Sequence, residues 1–421
     1  MANSFTANTL GTADQLYDWA TGGAPWRPVQ PPRIVPVGNT SGLVDAVANA
    51  LPGDVIEIVE PGVYQPDTLV TQVPNLTIRG HADAEPTDIV LRGRGMNTLS
   101  YGGAPHGIYS QYPGLTLQNF TIEQFIQQAV TFGAGAESPI FQDMVLRDCG
   151  QQFIKASAFP AAINYGLVER VVFEYTAGRP SVQTSELGYF YSGFIDVHNS
   201  VGWIVRDFVC KEMTPTQAEI DAVLAAEPGA TMTPWSPAVY FWNGSSNTIV
   251  ERGIFHNCAR MVALGLMDRF TSNGYYDHVG GIVRNCMGVI DAGRLSAAQT
   301  AESDGGILLW NSPGAKALNN TILTNGQVAD AVQGRWSPGL EISNNLTDNS
   351  IRMRNGASYS GSGNQLNALP EWFVNSATAN LRLNATGNAA VNTAPRLLDC
   401  MYDIDNTLRA NPTKIGAHRY G

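Results

Sequence analysis

A short signature recurs along the chain: apolar or β-branched residues, a polar residue, and then Asn, Asp or Arg. It occurs as TLQN (116–119), VLRD (145–148), LVER (167–170), IVRD (204–207), IVER (249–252), IVRN (282–285), ALNN (317–320) and EISN (341–344). The shortest spacings between the fourth positions are 22 and 24 residues, and the longer ones indicate the same repeat with inserted loops. Short β-branched runs separated by Gly and Asn predict strands rather than helices.

This repeat predicts an all-β chain folded as a right-handed parallel β-helix, in which each coil stacks on the last. A leucine-rich repeat would show denser Leu with helical segments, and a propeller would need a longer repeat. The charged fraction of 14% agrees, because uncharged polar residues must then cover the surface. Asn119, Asn285, Asn320 and Asn344 are expected to stack at one turn. Glu169, Arg206, Glu251 and Arg284 are expected to form opposite-charge ladders between coils.

We expect one domain over residues 1–421. Its parts are an N-terminal extension (1–40), a capping helix (41–51), the coils (52–350) and a C-terminal segment (351–421). In the helix, Ser41 or Thr40 is the expected cap. The face to be buried consists of Leu43, Val44, Val47, Ala48 and Leu51. Such a helix would cover the open end of the solenoid.

The bulk charge excludes several classes of partner. A formal net charge of −11 argues against nucleic acid or a membrane surface. No apolar stretch approaches the roughly 18 residues of a membrane span, so no membrane insertion is expected. The 5 cysteines show no CxxC spacing, which favours buried thiols over a zinc site or a disulfide framework.

The strands that precede the signature carry an unusual outward face. The aligned runs are FIKAS (153–157), FIDVH (194–198), AVYFW (238–242), MVALG (261–265), GILLW (306–310) and AVQGR (331–335). The residues expected to point inward are Ile154, Ile195, Val239, Val262, Ile307 and Val332. One outward row then holds Lys155, Asp196, Tyr240, Ala263, Leu308 and Gln333, and the other holds Ser157, His198, Trp242, Gly265, Trp310 and Arg335.

Aromatic side chains on an outward face suit sugar binding, because sugar C–H groups pack on the negative face of an indole. Four insertions, at 176–192, 212–236, 267–280 and 292–304, would wall this face into a groove. In the alternative, the loops fold over the aromatics and bury them as a side core. For the groove, we predict substrate contacts from Trp242, Trp310, Arg335, Tyr191 and His278.

Lys155, Asp196, His198 and Tyr240 are the predicted catalytic residues, because adjacent strands lie about 4.8 Å apart. A Lys base flanked by cationic or apolar neighbours suits β-elimination next to a uronate carboxylate, and His198 or Tyr240 is the alternative base or acid. Asp196 would favour the charged form of Lys155, which counts against a lysine base and leaves a plain salt bridge as the alternative. Asp196 is also a candidate ligand for a cation such as Ca²⁺. Asp304, about 14 Å away by strand spacing, lies too far for an inverting glycosidase pair.

Three segments resemble a known superfamily. DAVANALPGDVIEIVEPGVYQ (45–65) with VPNLTIRG (73–80) resembles the N-terminal signature of the pectin-lyase-like β-helix superfamily, especially the alginate lyase and chondroitinase B type. FIKAS is similar to the segment that carries the catalytic lysine of that family, although the family's full Asn and Glu metal set is not found. YDIDNTLRANPTKIGAHRY (402–420) resembles the closing segment of secreted β-helix proteins. The resemblance implies an extracellular or periplasmic location, although no signal peptide is recognised at Met1.

These observations favour a polysaccharide lyase that cleaves a uronate-containing glycan in the groove. A glycoside hydrolase or uronate epimerase on the same groove and a non-catalytic glycan-binding or adhesin module remain the alternatives.

Overall fold

A computed structural model describes residues 31–158, 160–233 and 235–420. Parallel strands stack in three ladders, and each complete coil of the chain contributes one strand, or part of a longer one, to each. The first and second ladders are parts of one 20-stranded sheet, and the third is a separate 10-stranded sheet. The chain is therefore a right-handed parallel β-helix, as the repeat predicted.

The first ladder contains Ile34–Val37, Val55–Ile58, Thr77–Gly80, Thr116–Gln118, Ile140–Arg147, Leu167–Glu174, Ile204–Arg206, Ile249–Glu251, Ile282–Arg284, Lys316–Leu318, Leu340–Ser343 and Tyr359–Ser360. The second contains Gly62–Tyr64, Ile89–Arg92, Thr121–Glu123, Val209–Lys211, Ile254–His256, Met287–Val289, Thr321–Leu323 and Leu346–Thr347. The strands Ile140–Arg147 and Leu167–Glu174 run through both of these ladders. The third contains Leu69–Thr71, Ile108–Ser110, Val130–Phe132, Gln152–Ala156, Gly193–His198, Val239–Trp242, Val262–Leu264, Gly305–Trp310, Asp330–Arg335 and Ile351–Arg354.

The coils extend beyond the predicted limits of 52–350. Ile34–Val37 already pairs in parallel with Val55–Ile58, so the first strand lies within the expected N-terminal extension. Residues 1–30 of that extension lie outside the described residues. At the other end, Ile351–Arg354 pairs with Asp330–Arg335.

A turn of left-handed backbone separates the first ladder from the second. Asn119, Asn285 and Asn344 occupy this position with φ of 60°, 54° and 58°, a conformation that Asn tolerates well. The fourth predicted member was wrong, because the pairing of Leu318 with Ser343 places Asn319 in this row. The repeat VLRD was also out of register, since it lies on the second ladder.

Asn320 belongs instead to a second asparagine ladder, in which Asn320 and Asn345 are fully buried. The Asn345 side chain accepts a hydrogen bond from the Asn320 backbone N–H and donates to the carbonyl of Ala317, at 3.0 and 2.8 Å. Asn364 repeats the contact one coil on, by accepting from the Asn345 backbone N–H at 3.0 Å. The predicted charge ladders are confirmed, with 2.6 Å contacts from Arg206 to Glu169 and from Arg284 to Glu251.

The capping helix spans Thr40–Ala48 and packs on the first coil. Its cap is Asn39, which accepts a hydrogen bond from Gly42 N at 2.8 Å, so the expected Ser41 or Thr40 cap was wrong. Leu43 and Val47 are buried, whereas Val44, Ala48 and Leu51 are exposed. The helix ends before the predicted Leu51, where the following Pro52 disfavours helical backbone.

The remaining elements lie in loops and at the C-terminal end. The helices are Gln217–Ala226, Arg269–Asn273, Ala297–Ala301 and Ala385–Ala390, with 3-10 turns at Pro370–Trp372, Ser376–Thr378 and Leu398–Cys400. Short pairs join Ser245–Ser246 to His278–Val279, Phe373–Asn375 to Asn380–Leu383, and Thr393–Ala394 to Thr413–Lys414. Residues of the C-terminal segment, among them Trp372 and Leu381, pack against Met287 and Leu323 of the second ladder.

All five cysteines are buried free thiols, as expected. Within the described ranges, no helix is long and apolar enough to cross a membrane.

Candidate functional site

The third ladder brings the predicted catalytic residues together. Lys155 pairs with Asp196, Asp196 with Tyr240, and His198 with Trp242, which is the predicted register. The inward residues from Ile154 to Val332 stack in line and are buried, which leaves the predicted rows on the outer face.

A β-bulge shapes the start of the Asp196 strand. The backbone N–H groups of Phe194 and Ile195 both donate to the carbonyl of Ala238, at 2.9 and 3.0 Å. The bulge sends both side chains into the core and leaves Gly193 on the outer face with its partner Gln152. The Tyr240 ring covers Gly193, where a Cβ would lie 2.7 Å from a ring carbon, so only glycine fits.

The Asp196 carboxylate is the centre of the site and is fully buried. One oxygen forms the ion pair with Lys155 Nζ. The other accepts from Trp242 Nε1 at 2.9 Å and lies 3.2 Å from His198 Nε2. Burial opposes ionisation, but Lys155 and His198 outweigh it and hold the pKa of Asp196 well below its ordinary value. Asp196 is therefore a permanent anion that orients two neighbouring groups.

Lys155 and His198 reach the surface from this buried anchor, and each side chain is 15% exposed. Lys155 Nζ lies 3.5 Å from His198 Nε2. His198 Nδ1 lies 3.4 Å from the side-chain amide of Asn243, which Tyr275 also contacts at 3.0 Å. Nε2 is turned to Asp196 and Nδ1 to the Asn243 amide, so a substrate contacts Nδ1 only by displacing that amide.

Two phenols flank the cluster. Burial, followed by the charge of Asp196, raises the pKa of Tyr240 well above its usual value, and Tyr240 is 3% exposed. A deprotonated Tyr240 is therefore disfavoured, which argues against the base role predicted for it but not against the acid role. Burial also raises the pKa of the half-buried Tyr191, although Lys155 opposes the shift. Gln152, which sequence reasoning missed, is buried and acts to lower the pKa of both phenols.

The aromatic row does not line an open groove. Tyr240, Ala263, Leu308 and Trp310 form a buried cluster that Trp242, Leu266 and Trp336 cover. Trp310 is 6% exposed, so its prediction as a sugar-stacking residue was wrong. The alternative of a buried side core holds over these coils.

Trp242 and Arg335 are only partly accessible. The Trp242 ring lies under Arg269, at 5.2 Å, and against His198, at 4.6 Å. The Arg335 guanidinium packs on Trp310 and Trp336 at 4.5 and 4.2 Å. Both remain half-buried, so each can still touch a ligand only at its edge.

The prediction that His278 reaches the groove was also wrong. His278 is fully buried and lies 3.1 Å from Thr248 Oγ1 and 3.2 Å from Ser312 Oγ. Burial lowers its pKa to about 3, so it is a neutral core residue.

The accessible part of the face extends toward the N-terminal coils instead. Lys155 is in register with Thr131, Thr131 with Tyr109, and Tyr109 with Val70. Thr131 and Tyr109 are half-buried and Val70 is exposed. Sequence reasoning missed this row, although the alternation in GIYSQY (107–112) is a strand signal.

The residues around Asp196 do not fit a Ca²⁺ site. Both carboxylate oxygens are already engaged by cations or N–H donors, and Ca²⁺ requires several oxygen ligands. A cavity of about 660 Å³ lies at Arg92, Arg94 and Arg147 on the second ladder, away from this cluster. The chemistry of the residues, and not the cavity volume, marks the site.

No family model matches the chain, and no curated protein sequence matches it. Among solved structures, the pectate lyase Pel9A is similar with a TM-score of 0.53 at 12% identity, covering 93% of this chain and 98% of that one. An alginate lyase from Paenibacillus sp. str. FPU-7 has a TM-score of 0.43 at 16% identity and covers 79% of this chain and 95% of its own. A GH136 lacto-N-biosidase from Eubacterium ramulus has a TM-score of 0.48 at 10% identity and covers 79% of this chain and 64% of its own. The likeness to Pel9A extends over nearly the whole chain and confirms the predicted parallel β-helix fold.

Proposed function

We propose that this protein is a polysaccharide lyase that cleaves a uronate-containing glycan by β-elimination. The observation that carries the proposal is the buried Asp196 carboxylate, which holds Lys155 and His198 side by side where the accessible part of the outer face of the third ladder begins. The fold of the pectate lyase Pel9A supports it only as an analogy, because one fold hosts many activities.

The reaction removes the proton next to the uronate carboxylate and expels the glycosidic oxygen. In our proposal His198 accepts this proton at Nδ1, while Asp196 fixes the ring through Nε2. The Lys155 amine, ion-paired with Asp196, is placed in this proposal to offset the charge that builds on the substrate carboxylate. Tyr191, whose raised pKa keeps the phenol protonated, is the candidate acid for the leaving oxygen.

A hydrolase is less well supported, because it requires two carboxyl groups across the scissile bond. Asp196 is buried and ion-paired, and Asp304 is three coils away and bound to Arg260. An epimerase would use the same proton abstraction, with reprotonation instead of elimination, and the product separates the two.

The test is incubation with pectate, alginate and chondroitin, followed in the ultraviolet band of the unsaturated uronate. We expect a steady rise with one of these polymers and a loss of about 10²–10⁴-fold in Lys155→Met and His198→Asn. Lys211→Met is the matched control, because Lys211 forms a half-buried ion pair with Glu174 on another ladder. No rise with any polymer would sink the proposal, and a changed uronate ratio without cleavage would replace it by the epimerase. Tight binding without turnover would indicate the adhesin.

A further inference from the structure

A buried arginine lies in the wall segment 176–192, beside the start of the Asp196 strand. Arg179 is 5% exposed, and its guanidinium packs 4.4 Å from the centre of the Tyr175 ring. Its Nη2 donates to the carbonyl of Phe190 at 3.3 Å and to Ser192 Oγ. Arg179 therefore fixes the two residues that flank Tyr191.

The other half of this guanidinium is unsatisfied. Nε and Nη1 are buried and have no hydrogen-bond partner among the described residues. Burial lowers the pKa of Arg179, which shows that its surroundings oppose the charge. Buried charged groups in native proteins are paired or hydrogen-bonded, so these two orphaned donor nitrogens call for a ligand.

A cavity of about 210 Å³ opens at this position. It is lined by Arg179, Arg294 and Thr216, and Thr216 caps the helix Gln217–Ala226. The N-terminus of a ten-residue helix and a buried guanidinium both favour negative charge.

Two carboxylates in the cavity wall are already engaged. Glu212 pairs with Arg294 at 2.7 Å and accepts from Asn257 at 2.7 Å. Glu219 accepts from the backbone N–H groups of Thr216 and Arg179, each at 2.7 Å. Neither forms an ion pair with the Arg179 side chain, although the charge of Glu219 favours the charged form of Arg179, and the repulsion from both carboxylates limits an anion to modest affinity.

We propose that this cavity binds a small oxyanion, either an inorganic one or the carboxylate of a sugar acid, through Nε and Nη1 of Arg179. The bound anion would complete the hydrogen bonding of the guanidinium and fasten the wall segment next to Tyr191. The site is separate from the Lys155 cluster and does not depend on the lyase reaction.

The direct test is a crystal structure of the full chain in sodium selenate, with anomalous scattering to locate selenium. We expect a peak within hydrogen-bond distance of Arg179, and ordered water alone in the cavity would overturn the proposal. A parallel soak in galacturonate distinguishes the sources: a sugar carboxylate on Arg179 supports a sugar-acid ligand, and selenate alone supports an inorganic one.

A solution test compares sodium sulfate with sodium chloride at equal ionic strength. We expect a saturable rise in Tm of about 1–3 °C, which Arg179→Gln abolishes. Arg260→Gln, which alters an arginine that already has the carboxylate of Asp304, should keep the rise. An equal, unsaturated rise in all three proteins would be general solute exclusion and would overturn the proposal. If Arg179→Gln does not fold, the selenate structure decides.

Discussion

At the scale of single residues, Asp196 is the group on which the cluster depends. We expect Asp196→Asn to lower activity by about 10²–10⁴-fold and to cost about 3–5 kcal/mol, because Lys155 loses a buried counter-charge. Since the pKa of Asp196 is depressed in the folded protein, its stabilisation is present above about pH 3.9 and is lost as the pH falls through the lower folded value. Urea unfolding at several pH values and initial rates check both effects.

The matched control for this change is Asp304→Asn. It likewise removes the carboxylate from an ion pair, here the pair with the half-buried Arg260, but three coils away from Asp196. It should lose stability and keep its rate per folded molecule. An equal loss of rate in both variants would mean that Asp196 acts only through stability.

We expect His278, in contrast to His198, to affect the stability of the protein and not its reaction rate. Its pKa of about 3 lies below the unfolded value of about 6.5, so the folded state resists a proton that the unfolded chain accepts. Stability is therefore complete above about pH 6.5 and falls by about 1.4 kcal/mol per pH unit between there and pH 3. His278→Gln should remove this slope and leave the rate unchanged. A rate loss like that of His198→Asn would return His278 to the active site.

At the scale of elements, the buried asparagine ladder joins neighbouring coils through hydrogen bonds between side chains and backbone groups. Asn345→Ala removes the acceptor of Asn320 N–H and the donor to Ala317, so we expect a loss of about 2–4 kcal/mol. Asn247→Gly is the control, since Asn247 is exposed and its φ of 54° suits glycine. The control should change the unfolding free energy by less than about 0.5 kcal/mol. An equal change in the unfolding free energy of both variants would mean that the ladder does not stabilise the coils.

The strands and their register on the third ladder could be predicted because side chains alternate and the inward row from Ile154 to Val332 is uniformly apolar. The bulge at Phe194 could not, since it depends on two N–H groups sharing one carbonyl of a neighbouring coil. Gln152 was missed for the same reason, because its place beside Gly193 depends on the pairing of neighbouring coils. The slip from Asn319 to Asn320 arose because adjacent asparagines match the repeat equally well.

At the scale of the whole molecule, burial of the outer face depends on loops whose folding the repeat does not encode. The alternation of its strand predicts that Trp310 is exposed, yet Leu266 and Trp336 cover the cluster to which Trp310 belongs. The fold could therefore be predicted from local pattern, whereas the direction of the groove required the packed loops.

This asymmetry predicts where a bound glycan lies. Beyond Asp196, the row formed by Tyr240, Ala263, Leu308 and Gln333 is buried, while on the other side Thr131, Tyr109 and Val70 remain accessible for about 14 Å. A polymer is then held mainly on the N-terminal side of the cluster, and cleavage falls near one chain end. We expect the ultraviolet signal to rise while viscosity falls slowly, with short products from the start.

Tyr109→Ala tests the same asymmetry from the binding side, because Tyr109 lies two coils from Lys155 on the accessible row. We expect KM for long substrates to rise about tenfold or more, with kcat nearly unchanged, since a lost sugar contact of about 1.4 kcal/mol acts on binding alone. Substrates too short to reach Tyr109 should show no change, which serves as the internal control. A rapid fall in viscosity with long early products would place the glycan across the covered coils after all, while leaving the elimination chemistry intact.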